Sequence, residues 1–359
     1  MRILVTKLYP SDGGTIYLKK LNKYGGFSGF IELVELSLVF RLYEKFISAR
    51  FGRVIARLPF FLIIEWVFTI IVGLELFLSG RLKIIEGSVA VVSESLIFMR
   101  LVFWFTASEI HYISLDIPWT YRNSLVNKRL LMAEFSLYKN RIKSCECCTN
   151  EMRDGLGLNL AEDKVFITYS SLDLITSSEA FFGSGDSRGR GIGTDDEEVS
   201  LMFAGNLRFR SELVEALEIF QQSGFKFILN LYSSSRLNEP RVLNHGFVDQ
   251  KVLDAAAESV DFGIVALGRS SRDQLVSSTS FPSKTFQYLR CGLPLLVIAP
   301  EDSALVRVVN RYNLGLVITK PSFKLEFDEG SFIAGLESLE GFLRSEWQRY
   351  FKFIATHTG

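Results

Sequence analysis

The chain lacks net charge: 40 Lys and Arg balance 40 Asp and Glu over 359 residues. Without a global field there is nothing to draw in a polyanion, which argues against nucleic acid as a partner and for a small molecule. Histidine is scarce, at three, and cysteine at four. Three of the cysteines, Cys145, Cys147 and Cys148, stand together in "CECC". Zinc takes four ligands, usually as two separated pairs, and no second Cys/His cluster completes the set, so no metal is expected. The segment reads instead as a partly buried run of small residues. An N-terminal signal peptide is also absent from the pattern, and with so few cysteines the expected compartment is reducing, the cytoplasm.

What is abundant is apolar and aromatic surface. Phe alone numbers 31, aromatics make up 13%, and the mean hydropathy is +0.21, a balance that hints at a membrane-facing surface. The stretch Leu58 to Leu78, "LPFFLIIEWVFTIIVGLELFL", has the length of a bilayer span. It also holds Glu65 and Glu75, each costing roughly 2 to 3 kcal/mol deep in a membrane, and Pro59 and Gly73 weaken it further. A core helix of a first domain is the preferred reading. Just before it, Arg41, Lys45, Arg50, Arg53 and Arg57 alternate with Phe46, Ile47, Phe51, Val54 and Ile55. Residues 41–57 suit either peripheral contact with anionic headgroups at the inner membrane face or an ordinary solvated helix face.

The length allows two domains, and the pattern alternates strand and helix in each. "RILVT" reads as a strand, "KLYPSDGGTIYLKKL" as a loop with Gly13 and Gly14 leading into a helix, "RLKIIEG" as a strand and "VAVVSESLIFMRLVFWF" as a helix. "EIHYISL", "VNKRLLMAEFSLYKNRI" and "KVFITY" continue as strand, helix and strand. Parallel strands with right-handed crossovers follow from such alternation, an α/β fold of two Rossmann-like domains. Residues 1–182 form the first domain. "GSGDSRGRGIGTDDEE", residues 183–198, is a linker by composition. Its Gly189, Gly191 and Gly193 follow no strand and run into four acids, which speaks against a nucleotide loop. The second domain spans 199–340, and 341–359 is a terminal helix that can pack back on the first.

The segment "FPSKTFQYLRCGLPLLV", Phe281 to Val297, carries the most chemistry. Ser283 can cap a helix over Lys284 to Arg290, Gly292 sits where a left-handed stop is wanted, and Pro294 forbids continuation. By spacing, Phe286 and Leu289 face one way and Lys284, Gln287 and Tyr288 the other, leaving one face for packing and one for a ligand. A lysine at a helix amino end, with the positive end of the dipole, suits a phosphate. A plain solvated surface lysine is the alternative.

The order "FAGNLRFR … LNHGFVDQKVLDAAAESVDFGIVAL … FPSKTFQYLRCGLPLLVI … NRYNLGLVI" resembles the donor half of GT-B glycosyltransferases, most of all the broad group that includes the retaining family 4 enzymes. The likeness covers Leu201 to Ile318; the first domain matches in layout only. It implies two Rossmann-like domains facing across a cleft, and transfer of a sugar from a nucleotide-sugar to a glycan or lipid-linked glycan acceptor, as in surface polysaccharide assembly. It also implies that Gly205 and Asn206, with Arg208 or Arg210, lie near the donor diphosphate, Gly246 and Phe247 beside the base, and Lys284 on the phosphates. Gln287 would stand where many relatives bind the ribose through a glutamate, and the partner glutamate eight residues earlier falls at Thr279, so that signature is missing at both ends. The amide offers one acceptor oxygen where a carboxylate offers two.

With no Asp-x-Asp, the divalent-metal clamp of the other major glycosyltransferase fold, metal-independent chemistry is expected and no cofactor is implied, with retention slightly favoured. If configuration inverts, a base must reach the acceptor hydroxyl. Asp116 in "SLDIPW" is the candidate, with His111 behind it; their alternatives are a turn residue before Pro118 and a satisfied core histidine. Gly13 and Gly14 allow either close backbone approach to a substrate or only a tight turn. A sugar-nucleotide epimerase and a non-catalytic assembly subunit with a decayed cleft share this fold and stay open.

Overall fold

The computed structural model describes residues 2–5, 30–48, 61–81, 89–92, 96–105, 109–114, 117, 125–169, 171, 198–270, 273–318 and 327–357, together with Leu18, Lys19, Leu21, Lys23, Phe27 and Lys83. The chain divides into two compact units, Met1–Leu172 with Glu346–Gly359, and Asp173–Ser345. The segment 183–198, read as a linker, lies outside the described residues except for Glu198.

In the first unit, short aliphatic runs pair into a six-stranded parallel sheet. Its strands are β1 (Arg2–Val5), β2 (Phe30–Glu32), β3 (Val89–Val92), β4 (Ile110–Ser114), β5 (Ile142–Cys147) and β6 (Val165–Ile167), in the order β2-β1-β3-β4-β5-β6. All pairs are parallel, with Ile3 opposite both Phe30 and Ala90. β2 and β5 have no counterpart in the sequence reading, which runs a helix through Ile142. Of the strand expected over Arg81–Gly87, residues 82 and 84–87 lie outside the described residues; Val89–Val92, expected as the start of a helix, is a strand, and the helix begins only at Leu96. The β-branched "VAVV" prefers the pleated, buried position, and the helix starts after the polar "SES".

Cys145 and Cys147 lie fully buried on β5, with Cys148 just after it, and the first two sulfurs are 3.1 Å apart. The helix Glu329–His357 ends within the first unit, where Tyr350 packs on Phe166 and Trp347 donates to Ser171 Oγ.

The helix Phe61–Leu78 buries Leu62, Thr69, Val72 and Leu76. Its Glu65 faces Arg100 on the helix Leu96–Phe105, and its Glu75 accepts from Ser37 Oγ and from the backbone N–H groups of Leu38 and Val39. Among the described residues no helix is long and apolar enough to cross a membrane. The core-helix reading describes one side only: Ile63, Val67, Ile70 and Leu74 on the other side are exposed.

The second unit contains β7 (Val199–Ala204), β8 (Phe227–Tyr232), β9 (Val242–Asn244), β10 (Phe262–Ala266), β11 (Leu295–Ile298) and β12 (Gly315–Ile318), in the order β12-β11-β10-β7-β8-β9, again all parallel. From β7 the chain winds outward through β8 and β9, then crosses to β10 on the other side of β7 and winds outward again. That is the doubly wound order, and a reversal such as that between β7 and β10 is where open α/β sheets take their ligands, at the carboxyl ends of the strands. β10 and β11 are buried along their whole length, as central parallel strands must be.

Candidate functional site

The two loops at this reversal hold the residues of interest. After β7 comes Gly205, whose φ of 110° is open to glycine but not to an L side chain, followed by exposed Asn206, buried Leu207 and exposed Arg208 and Arg210. Gly205 N–H donates to the Tyr232 carbonyl, which holds this turn against the end of β8. Arg210 opens the helix Arg210–Gln222, whose amino end has no side-chain cap and so leaves first-turn N–H groups available. After β10, Arg269 N–H donates to Glu212 and Ser277 Oγ to the Gly268 carbonyl. Arg208 reaches Asp273 at 3.8 Å across the two loops. This pair is half exposed and worth little by itself.

The helix Ser283–Arg290 packs beneath the same strand ends. Tyr288 is fully buried, and its hydroxyl accepts from the Ala204 N–H at 2.8 Å. Gly263 on β10 makes room for it, since a Cβ there would collide with the Tyr288 ring. Tyr288 therefore belongs to the packing face and not to the free face assigned to it by spacing: the helix buries a wider arc, with Thr285, Phe286, Tyr288 and Leu289 all inside. Ser283 corrects a second expectation. It is the first helical residue, Pro282 occupies the cap position, and no side chain caps the helix. Proline at that point sets the φ of helix entry and Ser283 is left exposed. The stop is as expected: Gly292 has φ 65°, its N–H reaches the Leu289 carbonyl and the Leu293 N–H reaches Tyr288, a Schellman closure.

Lys284 is half-buried as a residue, but its ammonium lies 3.7 Å from the centroid of the Phe203 ring. Phe203 immediately precedes Ala204 and Gly205, so the amine sits at the root of the loop after β7. Desolvation pushes its pKa down to about 7, and among the described residues no carboxylate offsets that shift. An aromatic face is a weak substitute for an anion.

At the ends of β8 and β9 a second cluster forms. His245 stacks on Tyr232 with ring centroids 4.5 Å apart and planes 13° from parallel, and its Nε2 meets Asn230 Oδ1 at 2.9 Å. Gly246 follows with φ 79°, and Phe247 projects with 83% of its surface exposed. Gln287 is half-buried. Thr279 is buried and its hydroxyl donates back to the Leu275 carbonyl.

Gly13, Gly14 and Asp116 lie outside the described residues. His111, on β4, is 2% exposed, with Nδ1 2.7 Å from Ser144 Oγ and Nε2 2.7 Å from Tyr350 Oη. Both ring nitrogens are engaged inside the first unit, the situation of a satisfied core histidine.

Phe203, Tyr232 and His245 escaped the sequence reading. Apart from half-buried Ser200, β7 is apolar and buried on both faces, so nothing in its pattern shows which way Phe203 points.

Residues 201–322 match the family model described as the C-terminal domain of glucosyltransferase 3-like proteins. Among curated proteins no significant match exists. Among solved structures, the chain is similar to the UDP-forming α,α-trehalose-phosphate synthase of Burkholderia xenovorans in complex with glucose-6-phosphate (TM-score 0.57, 11% identity, 100% of each chain covered). It is also similar to the α,α-trehalose 6-phosphate synthase of Burkholderia multivorans (0.55, 10%, 99% of this chain and 94% of that one). A third is Anabaena HepE in complex with UDP (0.51, 12%, 99% and 94%). At such identities the likeness speaks for the fold, and the matched second domain for the activity: the chain is a glycosyltransferase of the GT-B fold, with two Rossmann-like domains.

Proposed function

We propose that this nucleotide-sugar glycosyltransferase binds its donor at the carboxyl ends of β7, β8 and β10 and transfers the sugar to a glycan or lipid-linked glycan acceptor. UDP, which one structural relative forms and another binds, is the first nucleotide to test. Lys284 carries the reading, because its amine is desolvated at the root of the Gly205 loop with an aromatic ring for company and, among the described residues, no carboxylate. A diphosphate supplies the missing counter-charge.

Arg208, Arg210, Asn206 and the uncapped N–H groups of the helix Arg210–Gln222 surround the same loop. Phe247 and the Tyr232–His245 stack provide an aromatic platform for a base, and Gln287 an amide for the ribose. In the reaction, the bond from the sugar's anomeric carbon to the diphosphate oxygen breaks and the diphosphate departs with the electron pair. The acceptor hydroxyl oxygen bonds to the anomeric carbon and passes its proton to the departing diphosphate. Fixed cations and N–H donors aimed at the diphosphate lower the barrier as its charge grows, so the step asks nothing of a metal; retention is the favoured stereochemistry. Placement at the inner membrane face accords with a lipid-linked acceptor.

Calorimetric titration with UDP and UDP-sugars tests the site. Wild type is expected to bind, and Lys284→Met to bind at least ten-fold more weakly; equal affinities would refute the phosphate role. Nucleoside diphosphate released only when acceptor is added distinguishes transfer from epimerisation. Failure to bind any nucleotide would support a non-catalytic subunit, which the Gln287 and Thr279 departures would suit.

A further inference from the structure

Between the two loops at the reversal stands a carboxylate that a phosphate site alone has no reason to keep. Asp273 lies in the loop after β10, its side chain 26% exposed, with Oδ1 3.8 Å from Arg208 Nη2. A diphosphate brought to Arg208 meets that negative charge at close range, and like charges so placed oppose binding. The acid must have another use.

Its surroundings fix where it stands. A Cβ on Gly268 would collide with the Phe209 ring and with Asp273 Cβ, so the two loops meet here in close contact. Ser277 N–H donates to the Asp273 carbonyl at 2.8 Å, and Ser277 Oγ to the Gly268 carbonyl at 2.6 Å. Ser270 Oγ donates to Asp273 Oδ2, also at 2.6 Å. An aspartate just before a helix usually accepts from the N–H groups of the first turn. Asp273 precedes the helix Gln274–Thr279, yet its backbone is helical, φ −95° and ψ −6°, and its side chain caps nothing. The carboxylate is turned towards Arg208 instead. Among the described residues Oδ1 receives no hydrogen bond, since 3.8 Å is too long for one.

A hydroxyl is what can use an ionised acceptor beside a cation that serves a diphosphate. The charged side chains around the Gly205 loop, Arg208, Arg210 and Lys284, only donate. Thr279, further along the same segment as Asp273, is buried with its own hydroxyl committed to the Leu275 carbonyl. A sugar carried on the diphosphate brings several O–H groups that need acceptors. We infer that Asp273 is a specificity-determining residue for the transferred sugar: Oδ1 accepts from one of its hydroxyls, while Arg208 passes from the carboxylate to the diphosphate. Arg208 thereby gains a partner of greater charge, and Asp273 a hydrogen bond that the fold does not give it. A nucleotide without the sugar offers only the first half of this exchange, so the acid opposes UDP and favours a UDP-sugar. The inference deepens the proposed donor site and rests on it.

The test is calorimetric titration of the full chain with UDP, with UDP-glucose, and with analogues of UDP-glucose that each lack one sugar hydroxyl. Asp273→Asn should bind UDP as tightly as wild type or up to about three-fold tighter, as fits the loss of one exposed charge. It should bind UDP-glucose roughly ten-fold more weakly, the effect of one hydrogen bond to a charged acceptor. One deoxy analogue should lose a similar factor on wild type and almost nothing on Asp273→Asn. Asp273→Ala should behave in the same way, and a melting shift with UDP, kept in both variants, shows that they fold. Equal weakening of UDP and UDP-glucose would mean that Asp273 only steadies Arg208, and would overturn the proposal. So would a ratio of the two affinities that neither variant changes, or deoxy analogues that rank alike on variant and wild type. Any of these with UDP still bound fails the sugar contact and leaves the donor site standing, whereas a wild type that binds neither ligand fails both.

Discussion

Each unit holds a desolvated cation, and the two are kept in opposite ways. Arg100 in the first unit is fully buried between two carboxylates: Nε donates to Glu134 at 2.6 Å, Nη2 to Glu134 at 3.0 Å, and Glu65 lies 3.6 Å away. Desolvation opposes its charge, but Glu134 and Glu65 outweigh that and raise its pKa. Lys284 in the second unit has, among the described residues, only a phenylalanine ring, and its pKa falls to about 7. The first cation's charge is matched within the fold, although its Nη1 has no hydrogen-bond partner among the described residues. The second is incomplete until an anion arrives, and perturbed groups of that kind gather at functional sites.

The sharpest way to break the comparison is to make Arg100 resemble Lys284. Glu134 also accepts from Trp66 Nε1 and Tyr138 Oη, so Glu134→Leu strands donors on three residues at once, Arg100 and Tyr138 buried and Trp66 half-buried. A loss of roughly 3 to 5 kcal/mol is expected, the usual cost of stripping one partner from a buried ion pair. Urea denaturation measures it. Adding Arg100→Met should recover a large part; if the double variant is no more stable than the single, the charge of Arg100 is not what Glu134 holds.

Making Lys284 resemble an apolar core residue should have the reverse sign. Its folded pKa of about 7 lies below the ordinary 10.5, so between those values the unfolded chain binds more protons than the folded one and stability rises with pH. Below pH 7 the penalty is complete. Lys284→Met should therefore stabilise the unliganded protein at pH 6 by on the order of 2 to 4 kcal/mol, discounted for the half-exposed side chain, and by almost nothing above pH 10.5. The same variant loses UDP affinity. In wild type at pH 8 the diphosphate restores the charge, so binding should take up a proton, visible as a calorimetric enthalpy that varies with the buffer's ionisation enthalpy. A variant that is destabilised at pH 6, or a proton count of zero, would contradict this account.

The contrast was only half legible in the sequence. Lys284 was visible because its local frame is: a proline before it, a Schellman glycine after the helix, and a strand beyond, all set by neighbouring residues. The strands of the second sheet were visible for the same reason, as apolar runs between turns. Phe203 and Tyr288 were not, because their roles depend on which strand the helix lies against, a consequence of the crossover from β7 to β10 and not of any local pattern. Tyr288 went to the wrong face because a 3.6-residue period separates the two sides of a helix only when one side stays dry and the other wet. Arg100 and Glu134, thirty-four residues apart, carried no signal at all.

Tyr288→Phe is the intermediate case. It keeps the ring in the space that Gly263 leaves and removes only the hydroxyl that accepts the Ala204 N–H. A buried N–H left unpaired costs about 1 to 2 kcal/mol, and because Ala204 adjoins the Gly205 turn the loop should lose protection from hydrogen exchange there first. Unchanged exchange at Ala204 and Gly205 would mean that the turn is held by Gly205 N–H on Tyr232 alone.

Phe247 gives the smallest effect and separates binding from folding most cleanly. With 83% of its surface exposed it contributes little to the folded state, so Phe247→Ala should move the melting temperature by no more than about a degree, within the range of ordinary surface substitutions. An aromatic face beside Gly246, whose φ of 79° turns the chain at this point, has value only against a planar ligand. Loss of one stacking partner is expected to weaken UDP about five- to ten-fold while leaving inorganic diphosphate unaffected. Because Lys284→Met should weaken both ligands alike, the ratio of the two affinities distinguishes the base end of the site from its phosphate end. If Phe247→Ala weakened UDP and diphosphate equally, the ring would be acting through the fold and the platform would have to be Tyr232 and His245.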